Sequence, residues 1–205
     1  MRAYERTIMP VSKQIAVLLG VAITLSACSA THTAPQIGAV DNVTGLAFNP
    51  ADGSLLKTGA AGLFRLGPND STWQPIATSA TSGLSGLALN PDEPSTLYVS
   101  GPGVGVLKST DTGQHWADAG SGLPTGEISA LAMHSFRRAT LYAWVQDTGI
   151  YRTEDGGAHW NRMPDQGPPD TPVVRLVHST LSGSMNTGWL YAATPSGAYL
   201  SMDCF

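Results

Sequence analysis

The segment Ser109-Thr110-Asp111-Thr112-Gly113-Gln114-His115-Trp116 returns 44 residues later as Thr153-Glu154-Asp155-Gly156-Gly157-Ala158-His159-Trp160. The shared frame is Ser/Thr-x-Asp-x-Gly-x-x-Trp. A carboxylate and a hydroxyl can accept hydrogen bonds from backbone N–H groups of a tight turn. The glycine allows a positive φ that a Cβ would penalise. The indole that follows brings a large apolar ring to anchor the turn, with one N–H left for a partner. Ser109, Asp111, Gly113, Trp116 and Thr153, Asp155, Gly157, Trp160 are therefore read as structural residues. A third copy begins at Ser201 and Asp203, and Leu66 to Trp73 is a decayed one that keeps only the Trp.

Strand-like runs fall in register with this frame. Each repeat opens on an alternating apolar strand, as in residues 43–48, 84–89, 128–133 and 173–177. Gly45, Gly86 and Ala130 are small, as suits innermost strands crowded about an axis. Turns rich in Asn-Pro and Asp follow, then a strand with Leu-Tyr (Leu97-Tyr98, Leu141-Tyr142, Leu190-Tyr191), then a third strand after a Gly turn. The Trp positions 73, 116 and 160 lie 43 and 44 residues apart. A period of about 40–50 residues with four short strands is that of a propeller blade, a small antiparallel sheet that cannot bury its faces alone. The expectation is an all-β propeller of four-stranded antiparallel blades over residues 42–205, about four blades, the last incomplete. Either the reading frame is a truncated larger propeller, the favoured account, or residues 36–40 lend a strand that closes a four-blade ring.

Residues 1–27 read as an address. Arg2, Arg6 and Lys13 form a positive region and residues 14–25 a short apolar one, too short to span a bilayer comfortably. Leu25-Ser26-Ala27-Cys28 resembles the lipobox of bacterial lipoproteins. The resemblance implies cleavage before Cys28, acylation of its thiol and new amino group, and a membrane anchor. Ser29 after the cysteine implies the outer membrane in the enterobacterial pattern, and residues 28–41 form a lipidated tether. The remaining chain holds eight Lys and Arg against fourteen Asp and Glu. That balance offers no footprint for nucleic acid. Cys204 is the one other cysteine, so no disulfide within the mature domain is available.

The turn motifs resemble the BNR or Asp-box repeats of sialidases, xyloglucan-specific glycoside hydrolases, sortilin-type receptors and photosystem II assembly factors. The resemblance covers roughly residues 43–205. It implies a propeller whose Asp boxes sit at the blade periphery, away from the ligand face, and it does not choose between catalytic and binding members.

Chemistry is sparse. A sialidase-like site needs an arginine cluster, but Arg65 and Arg152 sit beside Asp-centred turns and Arg175 stands alone. A glycosidase needs two carboxylates about 5–10 Å apart. Asp118, Glu127, Asp147, Asp165 and Asp170 lie in loops, and no pair stands out. Glu127 precedes an inner strand and can face the ring opening. Tyr98, Tyr142 and Tyr191 recur in register and read as blade packing, whereas Trp144 breaks the register and reads as the best exposed aromatic. The candidate ligand face is Glu127, Trp144, Asp147 and Asp170. His115 and His159 are turn residues, and His134 and His178, 44 apart, follow from the repeat. No Cys/His cluster has zinc spacing, so neither a metal nor another cofactor is expected. The reading is a non-catalytic, lipid-anchored envelope scaffold that offers its d–a and b–c loops to a protein or glycan. The alternative is a glycoside hydrolase of sialidase-like or xyloglucanase-like type, or its remnant.

Overall fold

The computed structural model describes residues 42–78, 83–164, 167–168, 172–181 and 188–201. Cys28, residues 36–40, Asp165, Asp170, Asp203 and Cys204 lie outside them. The described residues are all-β, with no helix long and apolar enough to cross a membrane. Four small antiparallel sheets form a four-blade propeller arrangement.

Blade 1 is the meander β1 (Gly45–Phe48), β2 (Leu55–Gly59), β3 (Gly62–Leu66), β4 (Gln74–Ile76). Blade 2 repeats it as β5 (Gly86–Leu89), β6 (Leu97–Gly101), β7 (Gly105–Ser109), β8 (Ala117–Asp118). Blade 3 is β9 (Ile128–Met133), β10 (Leu141–Val145), β11 (Gly149–Thr153), β12 (Asn161–Arg162), and blade 4 has β13 (Arg175–His178), β14 (Leu190–Thr194), β15 (Gly197–Ser201). Short connections favour antiparallel neighbours in sequence order. The second strands of blades 2 and 3 are buried on both faces, at Leu97–Gly101 and Leu141–Val145, because each is sandwiched between adjacent blades.

Three apolar clusters fill the three seams between consecutive blades. One joins Leu56 and Leu63 to Leu87 and Leu97, one joins Tyr98 and Val106 to Leu131 and Trp160, and one joins Trp144 and Ile150 to Val173 and Leu176. Inner strands pack in series, β1 on β5, β5 on β9 and β9 on β13. The sequence reason is a knob and a hole. Leu87 Cβ lies 2.7 Å from where a Cβ on Gly45 would stand, and Leu131 Cβ lies 2.8 Å from one on Gly86. Real Cβ atoms do not approach so closely, so the leucine of one blade requires the small residue of the blade before it. Ala130 and Leu176 share the third seam.

A hydroxyl beside each small residue adds a latch. Thr44 Oγ1 donates to Leu84 O, Ser85 Oγ to Ile128 O, and Ser129 Oγ to Val173 O at 2.6 Å. In blade 4 the same two positions are Val174 and Arg175, neither a hydroxyl nor small. The leucine knobs follow suit, being 8%, 4% and 2% exposed at Leu87, Leu131 and Leu176 but 63% at Leu46. Among the described residues, β13 does not pack back on β1 as the other inner strands pack on each other.

Candidate functional site

The two ends of the blades differ in chemistry. At one end the turn between the third and fourth strands bonds to the turn between the first and second, through Thr112 N to Ser95 O at 2.9 Å and Gly156 N to Ala139 O at 2.8 Å. The Asp-centred turns lie here. Ser109 Oγ accepts the Gly113 N–H at 2.8 Å and donates to Asp111 Oδ1 at 2.8 Å, and Asp111 Oδ1 accepts the His115 N–H at 2.9 Å. Thr153, Asp155, Gly157 and His159 repeat this arrangement at 3.0, 2.7 and 2.9 Å in the same order. Gly113 and Gly157 have φ of 89° and 94°, as the sequence required. The backbone N–H of His115 or His159, with its imidazole Nδ1 at 2.6 or 2.8 Å, holds each aspartate well below the usual carboxylate range.

The indole N–H groups have partners that the sequence did not suggest. Trp116 Nε1 donates to Gly113 O at 3.0 Å and to Ala77 O of blade 1 at 3.3 Å, and Trp160 Nε1 donates to Ala119 O of blade 2 at 2.7 Å. Each tryptophan thus fastens its blade to the one before. Ser201 ends β15 and is buried, while Asp203 lies outside the described residues. A polar hollow of about 370 Å³ beside the blade 3 turn is closed chemically by its own lining. Arg152 meets Glu154 at 3.1 Å, His159 meets Asp155, and Arg162 Nε donates to Thr148 O at 2.8 Å.

At the opposite end, where the inner strands begin, a cavity of about 510 Å³ surrounds the axis. All four blades line it: Thr44 from blade 1, Ser85 from blade 2, Glu127, Ser129 and Gln146 from blade 3, and Arg175 from blade 4. Apolar Val43, Pro172 and Val174 complete the wall. The Gln146 N–H donates to Glu127 O at 2.9 Å, which ties the β10–β11 turn to the entrance of β9. Hydroxyls engaged as donors in the latches keep lone pairs that can accept from a ligand. The arrangement offers one carboxylate, one guanidinium, an amide and three hydroxyls around a partly apolar floor.

Of the candidate ligand-face residues, Glu127 lines this cavity and is exposed. Asp147 is exposed in the β10–β11 turn at the same end, in the left-handed region at φ 61°, but is not part of the lining. Asp170 lies outside the described residues. Trp144 is a correction. It is 2% exposed, within the seam between blades 3 and 4, and its Nε1 has no hydrogen-bond partner among the described residues. It faces Ala130 across the ladder where blades 1 and 2 have Thr58 and Ser100. The break in register therefore fills the seam with a large ring and does not present that ring outward.

Arg175, dismissed in the sequence for standing alone, joins Glu127 only through the folding of blade 4 against blade 3. The latch hydroxyls Thr44, Ser85 and Ser129 stand second in the apolar runs 43–48, 84–89 and 128–133, but they were not singled out in the sequence, and their partners are 40 or more residues away.

No protein-family model matches this chain, and no curated protein matches it in sequence. Its fold is similar to solved structures. The Niastella koreensis GH74 enzyme is 21% identical with TM-score 0.61 over 80% of this chain and 28% of that one. The GH74 xyloglucanase from Xanthomonas campestris is 21% identical with TM-score 0.60, over 83% and 30%. A chain of the mitotic checkpoint complex is 18% identical with TM-score 0.56, over 76% and 47%. The chain spans less than a third of the length of the GH74 structures it matches. At such identities the likeness is one of fold, shared by enzymes and by a checkpoint assembly.

Proposed function

We propose that this protein is a non-catalytic propeller of the bacterial envelope, anchored through lipid on Cys28, that holds a protein or glycan at its axial cavity. The observation that carries the reading is the cavity's lining, in which Glu127 is the one carboxylate among the described residues. Glycoside hydrolysis needs an acid and a second carboxylate across the bond. The Asp-centred turns, read as Asp boxes, serve blade joining at the other end and leave the cavity end free for recognition. Alternation of hydroxyl, amide, carboxylate and guanidinium around an apolar floor suits a polar ligand held by hydrogen bonds.

The likeness to GH74 folds supports a second reading, glycoside hydrolysis. One experiment separates the two. The full-length chain is incubated with xyloglucan and with sialylated glycans, and reducing ends and free sialic acid are measured beside calorimetric binding. Binding without product, weakened at least tenfold by Glu127→Gln or Arg175→Ala, supports the scaffold. Product release abolished by Glu127→Gln overturns it in favour of the hydrolase. The anchor is tested separately: Cys28→Ala abolishes labelling with palmitate and releases the protein from the membrane fraction, and unchanged labelling removes that element.

A further inference from the structure

The first strand of blades 1 and 2 is followed by an asparagine whose side chain caps the next turn. Asn49 Oδ1 accepts the Ala51 N–H at 2.9 Å, and Asn90 Oδ1 accepts the Asp92 N–H at 3.1 Å. Blade 3 has His134 in that place. Its Nδ1 accepts the N–H groups of Phe136 at 3.0 Å and Arg137 at 3.1 Å. Ladder register shows that His178 is not the blade 4 counterpart of His134. Met133 faces Leu141 and His178 faces Leu190, so His178 replaces a methionine and Ser179 is the true counterpart of His134. The 44-residue spacing is one residue out of step, and that offset brings the two imidazoles together across the seam.

They stack with centroids 3.9 Å apart and planes at 27°. Tyr142 lies parallel to His178 at 5.9 Å. His178 Nδ1 accepts the Ser135 N–H at 3.1 Å, and Ser135 Oγ donates to His178 O at 2.7 Å. The rings are only 2% and 8% exposed, and Gly188 leaves no room beside His178 for a Cβ. Both Nδ1 lone pairs are therefore taken by backbone donors of blade 3, which places the remaining proton of each neutral ring on Nε2.

The charged groups around the pair are unsuited to a second proton. Arg137, Arg138 and Arg152 all act on His134 as like charges. The nearby carboxylates are engaged with arginines, Asp92 with Arg138 at 2.7 Å and Glu154 with Arg152 at 3.1 Å. Among the described residues no carboxylate hydrogen-bonds to either ring. The Phe136 ring meets His134 edge-on and the Tyr142 ring lies stacked against it.

We propose that the joint between blades 3 and 4 is an acid-sensitive seam, stacked while both imidazoles are neutral and released when either takes a proton. A proton on Nδ1 sets N–H against N–H at Ser135 or at Phe136 and Arg137. A proton on either ring also places a cation on its neighbour without a counter-charge. Burial, then the charges of His178 and the three arginines, lower His134 to about 4, and burial lowers His178 as well. Because these folded-state values lie below those of the unfolded chain, the contribution is complete above about pH 6.5. It is lost as pH falls toward the folded value of His134.

The test borrows residues from the other blades. The full-length chain is unfolded in urea between about pH 7 and pH 4.5, where the folded-to-unfolded ratio should fall roughly a hundredfold from this pair. In the double variant His134→Asn, His178→Met, built from the counterparts Asn90 and Met133, most of that fall disappears. The variant His115→Asn, His159→Asn retains it. A flat wild-type profile, or an undiminished fall in the first variant, overturns the proposal. Should that variant not fold at neutral pH, imidazole resonances of the wild type decide: His134 neutral down to about pH 5 supports the seam, and titration near 6.5 overturns it. Hydrogen exchange locates the event. Amides of β13 and β14 should lose protection on acidification before those of β1 and β2, and uniform loss overturns a seam-specific opening.

Discussion

The seam between blades 2 and 3 and the seam between blades 3 and 4 solve the same packing problem with different chemistry. In the first, aromatic rings carry polar tips that reach main-chain carbonyls: Trp160 Nε1 to Ala119 O at 2.7 Å and Tyr98 Oη to Gly156 O at 3.2 Å. In the second, Trp144 is buried with its Nε1 unpartnered among the described residues, and two imidazoles stack face to face. One seam holds through hydrogen bonds to main-chain carbonyls, the other through two imidazoles that stack while neutral. Equal burial thus gives unequal sensitivity to solution conditions.

Six substitutions sharpen that contrast, from the largest effect downward. Trp160→Ala removes a ring 4% exposed and its bond to blade 2, and should lower stability by about 3–5 kcal/mol in urea unfolding. The matching Trp116→Ala should cost visibly less, because Trp116 is only half-buried; equal losses would mean that burial is not the determinant. Thr153→Val keeps the shape of a fully buried residue but deprives the Gly157 N–H of its acceptor. It should cost about 1–3 kcal/mol by the same measurement, with the midpoint shift independent of pH between about 5 and 8. Ser85→Ala and Ser129→Ala each remove one axial latch, for about 0.5–1.5 kcal/mol each. Near-equal losses would place the difference between the seams wholly in their aromatic layers. Thr112→Gly should act in the opposite direction. Thr112 has φ 62° where the second copy of the turn has Gly156, so relief of a β-branched residue there should raise stability by at most about 1 kcal/mol, seen as a higher Tm.

The repeat was legible because each blade states its own geometry locally. The glycine at positive φ, the hydroxyl that caps it and the alternation of the inner strands all act within a few residues. What the sequence concealed lies between blades. Trp144 looks irregular within its own strand and is explained only by the space over Ala130 in the next seam. His134 and His178 look equivalent by spacing, yet the strand register separates them by one residue. Arg175 and Glu127 come to one cavity from different blades. A single sequence carries no direct signal for such pairs, because the contact depends on how one sheet rotates against another and not on any period along the chain.

The latches between blades share an asymmetry in where their information resides. Thr44, Ser85, Ser129, Tyr98, Trp116 and Trp160 each supply a side-chain donor whose acceptor in the neighbouring blade is a main-chain carbonyl, whereas Arg138 and Asp92 pair side chain to side chain. A carbonyl is present whatever residue bears it, so these hydrogen bonds ask nothing of the receiving side chain's polar chemistry. For the bond alone, mutation on that side is silent and mutation on the donor side is not, while burial still holds Leu84, Ile128 and Val173 to apolar side chains. Duplicated blades can drift apart quickly under such a rule and still interlock. The stacked histidines break it, since there both partners must be specified, and a blade exchanged into that position would have to bring its own imidazole.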